Sequence, residues 1–176
     1  MPKWTIDPDH SVAGFSVKHL MVANVRGQFN KVAGEIVFDP LKITESSVMA
    51  SIDAGSLTTG NRKRDDHLLN PDFFDAAKFP KITFKSSKVV SGGGNRLKIS
   101  GNLTMHGITK PVTFEAEYFG PVKSPYGGEI TIGFAAKTDI NREDYDINWN
   151  VSMEDSGLMV GREVSITLDI EADLAE

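Results

Sequence analysis

The chain has no cysteine. That one absence excludes disulfides, zinc–thiolate centres, iron–sulfur clusters and cysteine nucleophiles. No apolar run approaches the ~18 residues of a membrane helix, so no integral membrane segment is expected. A basic excess is missing too: 19 Lys and Arg stand against 24 Asp and Glu, a net charge of −5 with the signs interspersed. A general binder of nucleic acid would carry the opposite balance on one face. The four histidines, His10, His19, His67 and His106, show no HxH or HExxH spacing, so no metal site or other cofactor is expected. Gly92-Gly93-Gly94 is not followed by a helical pattern, and it reads as a hairpin connection rather than a phosphate cradle.

Catalytic constellations are equally scarce. Asp9-His10-Ser11 contains the three residue types of a hydrolase triad, but neighbours on a strand point to opposite faces and cannot form the relay among themselves. The carboxylate pairs Asp65-Asp66 and Glu154-Asp155 lack the opposed surroundings that would split their pKa values. Met1-Pro2-Lys3-Trp4 leads directly into a strand-like segment with no apolar signal region. The expected compartment is therefore the cytoplasm for the chain as written, or the periplasm if an export signal has been removed.

What remains is a strand pattern of ordinary composition, 40% hydrophobic and 24% charged, consistent with one domain over residues 1–176. Ala13, Phe15, Val17 and His19 share one face of an extended segment. Leu20 to Ala23 has room for one helical turn. Arg26 to Phe38 reads as a long strand in which Phe29 is out of phase with Val32, Ile36 and Phe38, so a bulge is expected near Asn30-Lys31. Alternation resumes at Val48, Ala50 and Ile52, at Ile82 and Phe84, and through Leu97, Ile99, Gly101, Leu103 and Met105. Three further sets follow: Val112 to Tyr118, Ile130 to Ala136, and Val164 to Ile170. Asn141 to Gly157 has no strand period and reads as a long loop with at most one helical turn.

Seven or eight antiparallel strands with hairpin links and no β-α-β alternation point to an all-β fold. Several strands exceed the usual ~5–6 residues, which favours a closed up-and-down barrel over a sandwich. The exception to alternation is Arg62 to Ser87, where a charged cluster precedes Leu68-Leu69, Phe73-Phe74 and the breaks at Pro71 and Pro80. A short helical insert near residues 60–78, sealing the mouth of the barrel, is expected there. The inward set mixes large rings with slim residues such as Ala13, Ala50, Ala116 and Ala136. Jigsaw packing and an open lumen both satisfy that mixture.

These segments resemble the YceI-like family of lipid- or polyisoprenoid-binding proteins along nearly the whole chain. The resemblance starts at Trp4-Thr5-Ile6-Asp7, His10-Ser11 and Phe15 to Leu20, and continues through Gly27-Gln28-Phe29. It is densest in Thr59 to Arg62, Arg64-Asp65, His67-Leu68, Asp72 to Asp75 and Phe79-Pro80, with Gly101 to Thr104, His106 to Thr109 and Asn141-Arg142 further on. It implies an extended, lipocalin-like, eight-stranded antiparallel β-barrel with a cavity for an isoprenoid chain, and non-enzymatic binding, transport or storage of a polyprenyl pyrophosphate or isoprenoid quinone precursor.

On that reading the tail lies along Phe15, Val17, Phe38, Leu68, Leu69, Phe73, Phe74, Phe84, Leu103, Phe114 and Phe134. His19, Arg62, Arg64 and His67 are candidates to meet the head group, as polar residues beside the apolar lining. Two competing readings remain: an enzyme on an isoprenoid or quinone using His19 or His67, and a stress-response interaction module for which the barrel is only a scaffold. Homodimer formation through an exposed strand or the insert is compatible with the sequence but not specified by it.

Overall fold

The computed structural model describes residues 1–154 and 157–176, so Asp155 of the Glu154-Asp155 pair lies outside the described residues. Strands β1 (Lys3–Ile6), β2 (Val12–His19), β3 (Ala23–Phe29), β4 (Val32–Val37), β5 (Ser47–Asp53) and β6 (Leu57–Thr58) are followed by helix α1 (Arg62–Leu69). Five long strands complete the chain: β7 (Lys81–Gly93), β8 (Arg96–Met105), β9 (Ile108–Lys123), β10 (Ile130–Asn141) and β11 (Val160–Leu174).

The eleven segments form one antiparallel sheet that closes through β1 on β11. The short segments combine into composite staves. Trp4 pairs with Leu174 on the lower half of β11, while Ala13 pairs with Leu168 on its upper half, so β1 and β2 are one interrupted stave. In the same way β4 lies on β1 and β3 on β2, and β5 lies on β4 and β6 on β3. Three composite staves and the five long strands make a closed eight-stranded up-and-down barrel. Closure pairs every stave on both sides except along β6, and an eight-stave circumference is narrow enough to hold one ligand.

The expected irregularity at Asn30-Lys31 is the gap between β3 and β4. The Asn30 and Lys31 amides left out of the ladder both donate to Ser56 Oγ at 3.1 Å. This break brings Phe29 (6% exposed) into phase with Val32, Ile36 and Phe38, all of them buried. Leu20 to Val22 forms a tight hairpin turn rather than a helical one, with φ of 51° at Leu20 and 62° at Met21. Among the described residues, the segment after β10 holds a 3-10 turn, Arg142–Tyr145, and an isolated bridge between Ser152 and Leu158.

The two ends of the barrel differ. At one end Trp4 and Phe38 are buried and joined by a 3.0 Å bond from the indole Nε1 to the Phe38 carbonyl. Phe38 packs on Tyr118 and edge-on to Phe134, with ring centroids 4.9 and 5.3 Å apart. This plug shuts the end that carries both termini. The other end carries the β2–β3 and β8–β9 hairpins and the long segment that leads from β10 into β11.

Gly101 shows how side-chain size was set in the wall. A Cβ there would fall 2.6 Å from the Phe84 ring and closer still to the Lys85 carbonyl oxygen. The missing side chain lets Phe84 lie across β8, where it meets Phe114 edge-on at 5.3 Å.

Candidate functional site

Above the plug the barrel encloses a cavity of about 560 Å³, within the ~300–1,000 Å³ of small-molecule sites. Of the two options that residue size left open, the lumen is the one realised. Ala13, Ala50, Ala116 and Ala136 all line it, among Phe15, Val17, Phe38, Phe84, Leu103, Phe114 and Phe134. Ala116 and Ala136 are paired across β9 and β10, so two adjacent wall positions carry only a methyl group.

The insert closes a gap in the wall. β7 pairs with β5 only as far as Asp53–Lys81, and β6 reaches only β3, so the upper half of the third stave has no partner on its β7 side. α1 and the turns after it fill that gap. Asn61 caps the helix by accepting from the Arg64 amide at 3.0 Å, and Asn70 ends it. Thr59 and Arg64 lock the entry: Arg64 Nε donates to Thr59 Oγ1 at 2.7 Å, and Asp65 accepts from the Thr59 amide at 2.8 Å. Asp65 is thereby a structural carboxylate.

Helical periodicity then selects which insert residues face inward. Arg64, His67 and Leu68 share the face at spacings of three and four and line the cavity, followed by Phe73 and Phe74. Two expected contacts are corrected by the same geometry. Leu69, one residue or about 100° beyond Leu68, packs against the core from outside the cavity. Arg62, the first helical residue, is exposed and also stands off the lining.

Phe74 meets Phe29 edge-on at 5.4 Å. Phe73, His67 and Trp149 form a second cluster, with centroids 5.0 Å apart for His67–Phe73 and 4.9 Å for His67–Trp149. This cluster joins the insert to the segment after β10 and roofs part of the upper end. His67 Nε2 lies 2.8 Å from Asp72 Oδ2, so this histidine works as a clamp between a carboxylate and two rings. His19 lines the cavity at the rim.

Four charged residues border the cavity, Arg64 and Arg142 within it and Lys18 and Lys63 exposed at its rim, and all are cations; no carboxylate joins them among the described residues. Arg142 is the unusual one. It is 4% exposed and, among the described residues, donates to carbonyls alone: Gly161 at 2.8 Å, Ile147 at 2.7 Å, Trp149 at 3.0 Å and Val160 at 3.2 Å. Burial pushes its pKa down, Glu143 opposes that, and Arg162 adds to it. A guanidinium held by carbonyl dipoles keeps its net charge, so the upper cavity carries a positive potential. Sequence reading missed Lys18, Lys63 and Arg142. Arg142 fell in an aperiodic loop, and the two lysines resemble any solvated surface position.

The remaining histidines do not line the cavity. His106 Nδ1 is 2.9 Å from the Tyr145 carbonyl. His10 Nδ1 sits 2.7 Å from Asp7 Oδ2 and 3.8 Å from Glu171 Oε1, in the link between β1 and β2. The bond to Asp7 is the main reason that the His10 pKa lies above 6.5, and the same bond holds Asp7 below 3.8. The histidine's contribution to stability is full below pH 6.5 and fades as pH rises through its raised value. The carboxylate's is full above pH 3.8 and fades as pH falls through its lowered value. Thermal midpoints of wild type and His10→Gln should therefore differ most between these limits and converge on either side. A difference that does not vary with pH would show that the pair contributes nothing.

The architecture is a closed eight-stave barrel around an apolar cavity. Residues 4–172 match the YceI-like domain, and the chain belongs to the YceI-like family. A UPF0312 protein of Vibrio parahaemolyticus is 41% identical over 138 residues, 78% of this chain and 72% of the relative. Among solved structures, Burkholderia cenocepacia BcnA superposes with a TM-score of 0.82 at 26% identity, covering 94% of this chain and 98% of its own. A polyisoprenoid binding domain from Saccharophagus degradans superposes at 0.71 with 14% identity, covering 99% and 100%, which is a likeness of fold.

Proposed function

We propose that the protein binds and carries a long-chain amphiphile with an anionic head, of the polyprenyl phosphate or pyrophosphate type, without altering it chemically. The observation that carries this reading is the charge of the lining: an otherwise apolar cavity whose charged groups are all cations, one of them the buried Arg142. Each CH₂-sized group taken from water contributes about 0.8 kcal/mol, so a few five-carbon units suffice for micromolar affinity once the losses of association are subtracted. A charge-assisted bond to the head adds roughly 1.5–3 kcal/mol. An uncharged quinone head would use none of the four cations as a counter-ion. The Saccharophagus degradans domain, described as polyisoprenoid-binding, supports the ligand class.

A carrier role also fits the histidines. His67 is held by Asp72 and meets Phe73 and Trp149 edge-on, which suits a wall better than a proton-transfer group. The test is native mass spectrometry of the purified protein with solvent extraction of whatever it retains. Titration with a polyprenyl pyrophosphate and with the polyprenol of the same length follows. The expected result is a retained or acquired polyprenoid and at least a tenfold preference for the pyrophosphate, the equivalent of about 1.4 kcal/mol. A protein that neither retains nor takes up any polyprenoid would sink the proposal.

A further inference from the structure

The β2–β3 hairpin turns through His19-Leu20-Met21-Val22. The Val22 amide donates to the His19 carbonyl at 3.1 Å, and both central residues have positive φ, 51° and 62°. This is the φ signature of a type I′ turn, whose central positions favour Asn and Gly because a Cβ is strained in the left-handed region. Here those positions hold leucine and methionine. They are not recruited to the core: Leu20 is 40% exposed, Met21 56% and Val22 81%. Turn chemistry disfavours these residues and burial does not reward them, so their presence here needs another reason.

Their position supplies one. The Leu20 amide donates to the Met159 carbonyl at 2.8 Å, and Met159, Val160, His19 and Lys18 all line the cavity. The apolar tip thus stands on the rim of the cavity. Below it, Lys18 and Arg26 are exposed and make no ion pair among the described residues. Nearby, Arg162 is paired with Glu143 at 3.1 Å, and Glu163 lies with Lys18 and Arg26 along one shallow surface depression.

We propose that this hairpin tip is a membrane-docking wedge. Leu20, Met21 and Val22 enter the boundary between head groups and acyl chains of a bilayer. Lys18 and Arg26 meet anionic head groups, and the rim of the cavity is held against the membrane that supplies or receives the ligand. This rests on the lipid-carrier reading. A bilayer fits better than a protein partner because three residues on one hairpin tip fall far short of the ~20–30 per side of a stable protein interface. Insertion of a few apolar side chains next to cations needs no larger complementary surface.

The test uses the variant Leu20→Asn/Met21→Gly/Val22→Ser, which gives the turn the residues it favours and removes its apolar surface. Flotation with vesicles of phosphatidylcholine containing roughly a third phosphatidylglycerol should show wild-type association that weakens in phosphatidylcholine alone and with added salt. The variant should lose about tenfold or more of that association, while its thermal midpoint holds or rises. Its uptake of a detergent-delivered polyprenyl pyrophosphate should match wild type. Wild-type protein that ignores both kinds of vesicle, or a variant that floats equally well, would overturn docking. So would a variant whose only change in sedimentation is loss of a dimer, which would make the tip a contact between copies. The two proposals fail separately: tip-dependent flotation without polyprenoid uptake removes the carrier reading, and uptake without flotation removes the wedge.

Discussion

Ala136→Phe should abolish tight uptake of a long isoprenoid while leaving the barrel folded. Ala136 lines the cavity, pairs across the sheet with Ala116 on one side and Leu168 on the other, and has only a methyl group to offer the lumen. A phenyl ring at this point enters space that the wild-type chain leaves open. In a filled core such a change forces neighbours off their rotamers and typically costs ~1–3 kcal/mol. A cavity of about 560 Å³ spares it most of that strain. The ligand loses what the ring takes. If three or four CH₂-sized groups lose their place, about 3 kcal/mol goes with them, or roughly a hundredfold in affinity. Calorimetric titration with a polyprenyl pyrophosphate, together with a thermal melt of the ligand-free variant, measures both halves. Unchanged affinity in a folded variant would show that the chain does not run along this wall.

The same alanines show how far the sequence could be read. Period-two alternation is imposed by the strand itself, so the staves and their inward residues were legible, and the phase slip at Phe29 located the break between β3 and β4. Alternation reports only which way a side chain points. Whether Ala50, Ala116 and Ala136 interlock with rings opposite them or leave a void depends on curvature and on residues distant in the chain. Helix α1 exposes a related limit. Arg62, Leu68 and Leu69 sit in a short apolar-and-charged run with no clear stripe, so the sequence could not tell Leu68, on the cavity face, from Leu69, a third of a turn away. The β2–β3 turn misled for a different reason. Its backbone is one that Asn and Gly usually announce, and Leu20-Met21 announces nothing. Arg142 was hidden because its partners are carbonyls, which every residue has and no residue type reveals.

Arg142→Met should have the other large effect, on stability and on ligand choice together. The side chain spans the two ends of the segment that roofs the cavity: Ile147 and Trp149 on one side, Val160 and Gly161 at the start of β11 on the other. Asn150 reinforces the junction through Val160, giving 2.7 Å to its carbonyl and taking 3.0 Å from its amide. Methionine keeps most of the packing volume but leaves the carbonyls of Gly161, Ile147 and Trp149 without this donor. An orphaned buried acceptor costs about 1–3 kcal/mol, the part-buried carbonyls of Gly161 and Trp149 toward the low end. Removing a buried cation returns part of that desolvation penalty, leaving a net loss of roughly 3–5 kcal/mol. In a chain of this size that lowers the thermal midpoint by on the order of 10 °C, with amide exchange accelerated from Ile147 to Val160. Arg142→Lys, which keeps the charge without the planar fork, should fall between the two in stability. The ligand readout separates a mere staple from a cavity cation. Arg142→Met should weaken binding of a polyprenyl pyrophosphate more than binding of the matching polyprenol, whereas Arg142→Lys should retain most of the pyrophosphate preference. Equal losses for both ligands in both variants would confine Arg142 to holding the roof. A selective loss in Arg142→Met alone would mean that the charge over the cavity, rather than the shape of its roof, distinguishes an acidic head from a neutral one.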